Sequence, residues 1–126
     1  MHREEIAAMV GNALRGFWMS ENADSQLRNL QVISQLGDNI DDQDFLDAIS
    51  NAAQSEDFRI RGEACYAISL SHKHKLMPQL KQILRELTLD ENYYVRCSAM
   101  KAMSKLKGPT CKLKGPTCKR LLRKAS

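Results

Sequence analysis

The sequence predicts an all-α protein built of three antiparallel helix pairs, followed by a basic C-terminal tail. Three observations carry that expectation. Apolar residues recur at intervals of three and four along six consecutive segments of residues 1–107. No segment shows the apolar–polar alternation of a half-buried strand. Finally, displacing the chain by 35 residues lays the apolar positions of one pair on those of the next, the self-similarity expected of a helical repeat.

The first helix carries the stripe Ile6, Met9, Val10, Ala13, Leu14 and Phe17. Glu4 and Glu5 stand at its start, where carboxylates complement the helix dipole. The second runs from Ser25 to Leu36 with Leu27, Leu30, Ile33 and Leu36 on one face, and Gly37 reads as its C-terminal cap. The third opens near Asp41–Asp44 and buries Phe45, Ala48, Ile49 and Ala52. The fourth follows Asp57, a good N-cap, and buries Ile60, Ala64, Ala67 and Ile68. The fifth holds Pro78 in its first turn, where proline is tolerated, and then Leu80, Ile83, Leu84 and Leu87. The sixth follows Asn92, with Val95, Ala99, Ala102, Met103 and Leu106 facing inward.

The repeat is clearest in the last two pairs. A shift of 35 carries Phe45, Ala48, Ile49 and Ala52 onto Leu80, Ile83, Leu84 and Leu87, and the reverse shift reaches Val10, Ala13, Leu14 and Phe17. Ile60-Arg61, Ala64, Ala67 and Ile68-Ser69 match Val95-Arg96, Ala99, Ala102 and Met103-Ser104. The second helix of the first pair fits less well: Leu27-Arg28 requires a shift of 33, and Leu30 and Ile33 prefer 34. Each pair has an apolar face too wide to cover alone, so stacking of neighbours supplies the core.

Asp57-Phe58-Arg59-Ile60-Arg61-Gly62-Glu63-Ala64-Cys65-Tyr66-Ala67-Ile68 resembles the second helix of a HEAT-type repeat, and so does the segment from Asn92 to Met103. The resemblance rests on the capping Asp or Asn, the Val/Ile-Arg pair and the small Ala positions, and extends loosely over residues 4–107. It implies a short right-handed α-solenoid of three antiparallel pairs, in a family whose members are mostly scaffolds and adaptors. Some relatives bind nucleic acid, act as lyases on bile-pigment proteins or form metal-dependent hydroxylases, so fold alone does not fix function. The hydroxylases rely on adjacent His-Glu pairs, which this sequence lacks.

Length and composition bound the rest. A chain of 126 residues is ordinarily one domain. No apolar run approaches the roughly 18 residues of a spanning helix. The acidic start at Glu4-Glu5 is unlike a secretory signal, and four scattered cysteines make no disulfide framework, so a cytoplasmic protein is expected. The net charge of +4 hides a division. Residues 1–104 hold 11 Lys/Arg against 15 Asp/Glu, whereas residues 105–126 hold eight Lys/Arg and no acid. The tail 108–126, expected to be flexible, owes part of its charge to a tandem copy: Lys105-Leu106-Lys107-Gly108-Pro109-Thr110-Cys111 recurs at once as Lys112 to Cys118. A recent duplication accounts for such identity better than a selected motif.

Chemistry-bearing residues are sparse. Arg61 and Arg96 occupy equivalent positions and read as partners for caps or carboxylates of the neighbouring repeat rather than as a basic ladder. His72-Lys73-His74-Lys75 reads as a solvated basic loop, since no cysteine pair flanks it to complete a zinc site. Asp38, Asp41, Asp42, Asp44 and Asp47 lack the glycine and glutamate of a calcium loop and read as capping acids with spare solvated charge; an acidic docking patch is the alternative. Cys65 and Cys97 read as packing residues, and Trp18 as core or end-cap packing, with a partner anchor as the alternative should it be exposed. No nucleophile stands beside an evident base and no Gly-rich phosphate loop occurs. The expectation is therefore a non-enzymatic protein-binding module without metal or cofactor. Its partner-binding residues on the second helices would be Arg59, Glu63, Tyr66, Tyr94 and Lys101. The alternative is nucleic-acid binding through Lys112, Lys114, Lys119, Arg120, Arg123 and Lys124, aided by Arg59, Lys73 and Lys75.

Overall fold

The computed structural model describes residues 2–107, which form six α-helices and two single 3₁₀ turns, with no strand among them. Helix α1 spans Arg3–Met19, α2 Ala23–Gln35, α3 Asp42–Ala53, α4 Phe58–Leu70, α5 Met77–Leu87 and α6 Tyr93–Lys107. The 3₁₀ turns, Gly37–Asn39 and His74–Leu76, introduce α3 and α5. No helix of the described residues is long and apolar enough to cross a membrane. The duplicated segment from Gly108 onward and the tail lie outside the described residues.

The caps explain where the even-numbered helices begin. The side chain of Asn22 accepts the Ser25 amide at 2.8 Å, Asp57 accepts that of Arg59 at 2.8 Å, and Asn92 accepts that of Tyr94 at 2.9 Å. Each such cap contributes about 1 kcal/mol. The three caps are spaced 35 residues apart, so the first pair keeps the same register as the others; the shifts of 33 and 34 read from its apolar residues are corrected. Two of its inward positions have changed, and Gln26 stands where Arg61 and Arg96 do. Ser25 stands where Ile60 and Val95 do, and Asn29 where Ala64 and Ala99 do. Asn29 is accommodated because Gly16 of α1 lies opposite, where a Cβ would overlap the Asn29 amide.

Gly37 does not act as a left-handed cap. It opens the 3₁₀ turn, and its missing side chain makes room for the Phe45 ring, whose Cε1 would lie 3.0 Å from a Cβ there.

Helices α1 and α2, α3 and α4, and α5 and α6 pack as pairs, and α4 also lies along both α2 and α6. The core follows from that placement. Phe17, Leu30, Ile33, Phe45, Ile49, Ile60, Ile68, Leu80, Leu84 and Val95 are fully buried, and Ala48, Ala52, Ala64, Ala67, Ala99 and Ala102 let the backbones approach. Two expectations for α1 are corrected. Met9 is 40 % exposed, and Trp18 is 50 % exposed and meets Phe17 edge-on at 5.1 Å between ring centroids. The side of α1 away from α2 and α3 has no neighbour among the described residues to cover it.

Polar side chains join one pair to the next. Arg61 donates to both carboxylate oxygens of Asp90, at 2.8 and 3.1 Å, and to the Ser55 carbonyl at 2.8 Å. Arg96 repeats the last contact on the Asp90 and Glu91 carbonyls, at 2.8 and 3.0 Å. Both arginines are thus structural. At the opposite ends of these helices, Asp38 accepts the His72 amide at 3.0 Å and lies 2.7 Å from His72 Nδ1. Lys73 reaches Asp42 at 2.8 Å and the Ile40 carbonyl, with its ammonium 5.5 Å from the Phe45 ring centroid. The Lys73 side chain is only 7 % exposed. The basic loop is therefore not simply solvated: it closes onto part of the acidic cluster, and the two charge runs are halves of one seam.

Candidate functional site

Positions three and four apart on α4 and α6 build a groove of about 320 Å³ between the two helices. Helix α4 contributes Glu63, Tyr66 and Ser69; α6 contributes Tyr94, Lys101 and Lys105. Gly62, Ser98 and Ala102 complete its lining. Gly62 is required there: a Cβ would overlap the Tyr94 ring, which leans across α4 and meets Phe58 edge-on at 6.0 Å.

The groove is both aromatic and charged. Tyr66 is 45 % and Tyr94 52 % exposed, although each is large and half apolar. Glu63 is half-buried, and its Oε2 accepts a 2.8 Å hydrogen bond from Ser34 Oγ of α2. Burial pushes the Glu63 carboxyl above the ordinary glutamate value, and the Ser34 bond offsets only part of that rise. Lys101 and Lys105 are exposed farther along α6.

Four of the five residues expected to bind a partner, Glu63, Tyr66, Tyr94 and Lys101, come together in this groove. Arg59 does not line it. Its guanidinium is held by Asp57, at 2.8 and 3.1 Å, and by Asp24 of α2 at 2.9 Å. Those contacts hold the Asp57 carboxyl below its usual range. Ser34 was invisible to sequence reasoning: a small polar residue on a buried helical stripe carries no sign that it meets a carboxylate 29 positions away.

The other concavities and reactive groups offer less. A more open hollow of about 460 Å³ lies at the starts of α2 and α4, beside Asn22 and Asp57, which are already engaged as caps. Cys65 is buried, and its thiol is pushed up to about 12 by desolvation and the charge of Asp90, so it is a packing residue rather than a nucleophile. Cys97 is half-buried on α6. Among the described residues no three His, Cys, Asp or Glu side chains converge as metal ligands. The lysines and arginines of the tail, Lys112 to Lys124, lie outside the described residues.

Comparison with known proteins returns no match to a family model, to a curated protein or to a solved structure.

Proposed function

We propose that the chain is a cytoplasmic, HEAT-like interaction module, a short right-handed solenoid of three helix pairs. It holds a protein partner on the face shared by α2, α4 and α6, without catalysis of its own. The observation that carries the reading is the α4–α6 groove. Two tyrosines sit there half-exposed beside ionisable side chains, and among the described residues the side chains of Tyr66 and Lys101 enter no ion pair or hydrogen bond of the fold. Aromatic side chains in a desolvatable hollow are the usual anchors of protein interfaces. The 35-residue spacing of Asn22, Asp57 and Asn92, with the recurrent arginine contacts, supports the repeat architecture.

Nucleic-acid binding is less well supported. Arg59 and Lys73, which would assist the tail, are bound to carboxylates of the same chain.

Affinity capture with the full chain and with the double variant Tyr66→Ala/Tyr94→Ala tests the reading. A discrete protein retained by the parent and depleted about 30-fold or more on the folded variant is expected, since two anchors of about 1–2 kcal/mol each contribute at least about 2 kcal/mol together. If no protein distinguishes the two baits, the proposal fails.

A further inference from the structure

Among the described residues, no cation pairs with the Glu63 carboxylate. Among the described residues, the acids along the seams meet cations: Asp24 and Asp57 meet Arg59, Asp90 meets Arg61, Asp42 meets Lys73, and Asp38 meets His72. Glu63 is half-buried at the centre of α4 and forms no ion pair within that set; its one bond is to the neutral Ser34 hydroxyl. Withdrawing a carboxylate from water without a counter-charge costs free energy, and the upward shift of its proton affinity has that cause. Stability of the fold does not account for an acid at this position.

The surroundings say what would. Tyr66 lies one turn beyond Glu63 on the same helix, and Tyr94 leans in from α6 over Gly62, so both phenol rings line the groove that Glu63 lines. Ring faces attract an ammonium or guanidinium by about 0.5–2 kcal/mol, and their flanks accept an aliphatic stem. A half-buried carboxylate sharing a groove with two exposed rings is matched by a long cationic side chain.

We infer that the α4–α6 groove receives an arginine or lysine side chain of the partner, its charge on Glu63 and its stem against Tyr66 and Tyr94. This deepens the interaction reading and rests on it. Lys101 and Lys105, exposed on α6 and without an acidic partner among the described residues, stand farther along the same groove. They complement an acid elsewhere on the bound segment and disfavour a polybasic one, so the occupant is a mixed-charge peptide with one buried cation.

An array of nonapeptides with randomised flanks and a fixed central Arg, Lys, Gln, Leu or Asp, probed with the full chain, tests this. Arg- and Lys-centred sets should be retained at least about tenfold over the Gln-centred set, a ratio that corresponds to about 1.4 kcal/mol. Glu63→Gln should erase that ratio without lowering the melting temperature, and Lys101→Ala should leave it in place. Absence of binding, absence of a cation preference, or a preference that Glu63→Gln retains would overturn the inference. Failure here, with a Tyr66/Tyr94-dependent partner still captured, removes the cation and leaves the interaction module standing; loss of both removes both.

Discussion

Arg61 and Asp90 form a two-pronged ion pair, with Nε and Nη2 of the arginine at 2.8 and 3.1 Å from the two carboxylate oxygens and the side chains only 11 % and 10 % exposed. Asp90 also accepts the Asn92 amide at 2.8 Å, and Arg61 also holds the Ser55 carbonyl. One pair therefore fixes the connection before α6 to the start of α4. Arg61→Leu strands a buried carboxylate and should cost about 3 kcal/mol, lowering the thermal midpoint by on the order of 10 °C. Arg59→Ala removes two surface ion pairs, to Asp24 and Asp57, and should leave the midpoint almost unchanged. Calorimetry of the two variants separates the structural arginine from its neighbour.

The pH dependence of stability should have two components of opposite sign. Burial pushes the Asp90 carboxyl up, but hydrogen bonds from Arg61 and the Asn92 amide, with the charges of Arg61 and Arg96, hold it below the ordinary 3.8. That stabilisation is present above the unfolded value and lost as pH falls through the folded one. Glu63 is shifted upward, by burial, from an ordinary 4.5. Its neutral form is favoured in the folded chain, so this contribution is full below the unfolded value and lost as pH rises through the folded one. Glu63→Gln should therefore be as stable as the parent or more so at neutral pH, with the difference closing below about pH 4. Urea unfolding across that range measures it.

Lys73 and Lys75 are two residues apart and should behave oppositely. Lys73→Ala deletes the contacts to Asp42 and the Ile40 carbonyl and uncovers Phe45, at a cost of about 2 kcal/mol. Lys75 is exposed, and Lys75→Ala should stay within about 0.5 kcal/mol of the parent. Chemical denaturation of both variants decides whether this loop is a seam or a solvated run.

Gly62→Ala should separate stability from binding. Alanine raises helix propensity by about 1 kcal/mol, while its methyl overlaps the Tyr94 ring and turns that exposed ring away. The melting temperature should change little and partner capture should fall several-fold. Tyrosine ring resonances in NMR spectra would report the displaced side chain.

Helices and core were legible because their signals are local. Caps at Asp57 and Asn92 sit directly ahead of Arg/Tyr-rich first turns, and all four inward positions expected of α3 are fully buried. Exposure of Tyr66, Tyr94 and Lys101 followed from the same spacing, which points them away from the buried alanines. The pairings Asp38–His72 and Asp42–Lys73 were not legible, because partners 34 and 31 residues apart meet only once successive connections lie side by side. Asn22 was hidden because Ser25, rather than a branched apolar residue, follows at the position of Ile60 and Val95. Met9 shows the limit of periodicity at an end helix: the spacing assigns a stripe without saying that its edge lacks a neighbour.

Placement of the partner on the face of α4 and α6 is the central claim. Its most direct test is site-specific photocrosslinking from a benzoylphenylalanine at position 66, in the groove, against the same probe at position 82, exposed on α5. The account predicts a discrete crosslinked protein from position 66, absent from position 82. Crosslinking from position 82 alone, or equally from both, would contradict it.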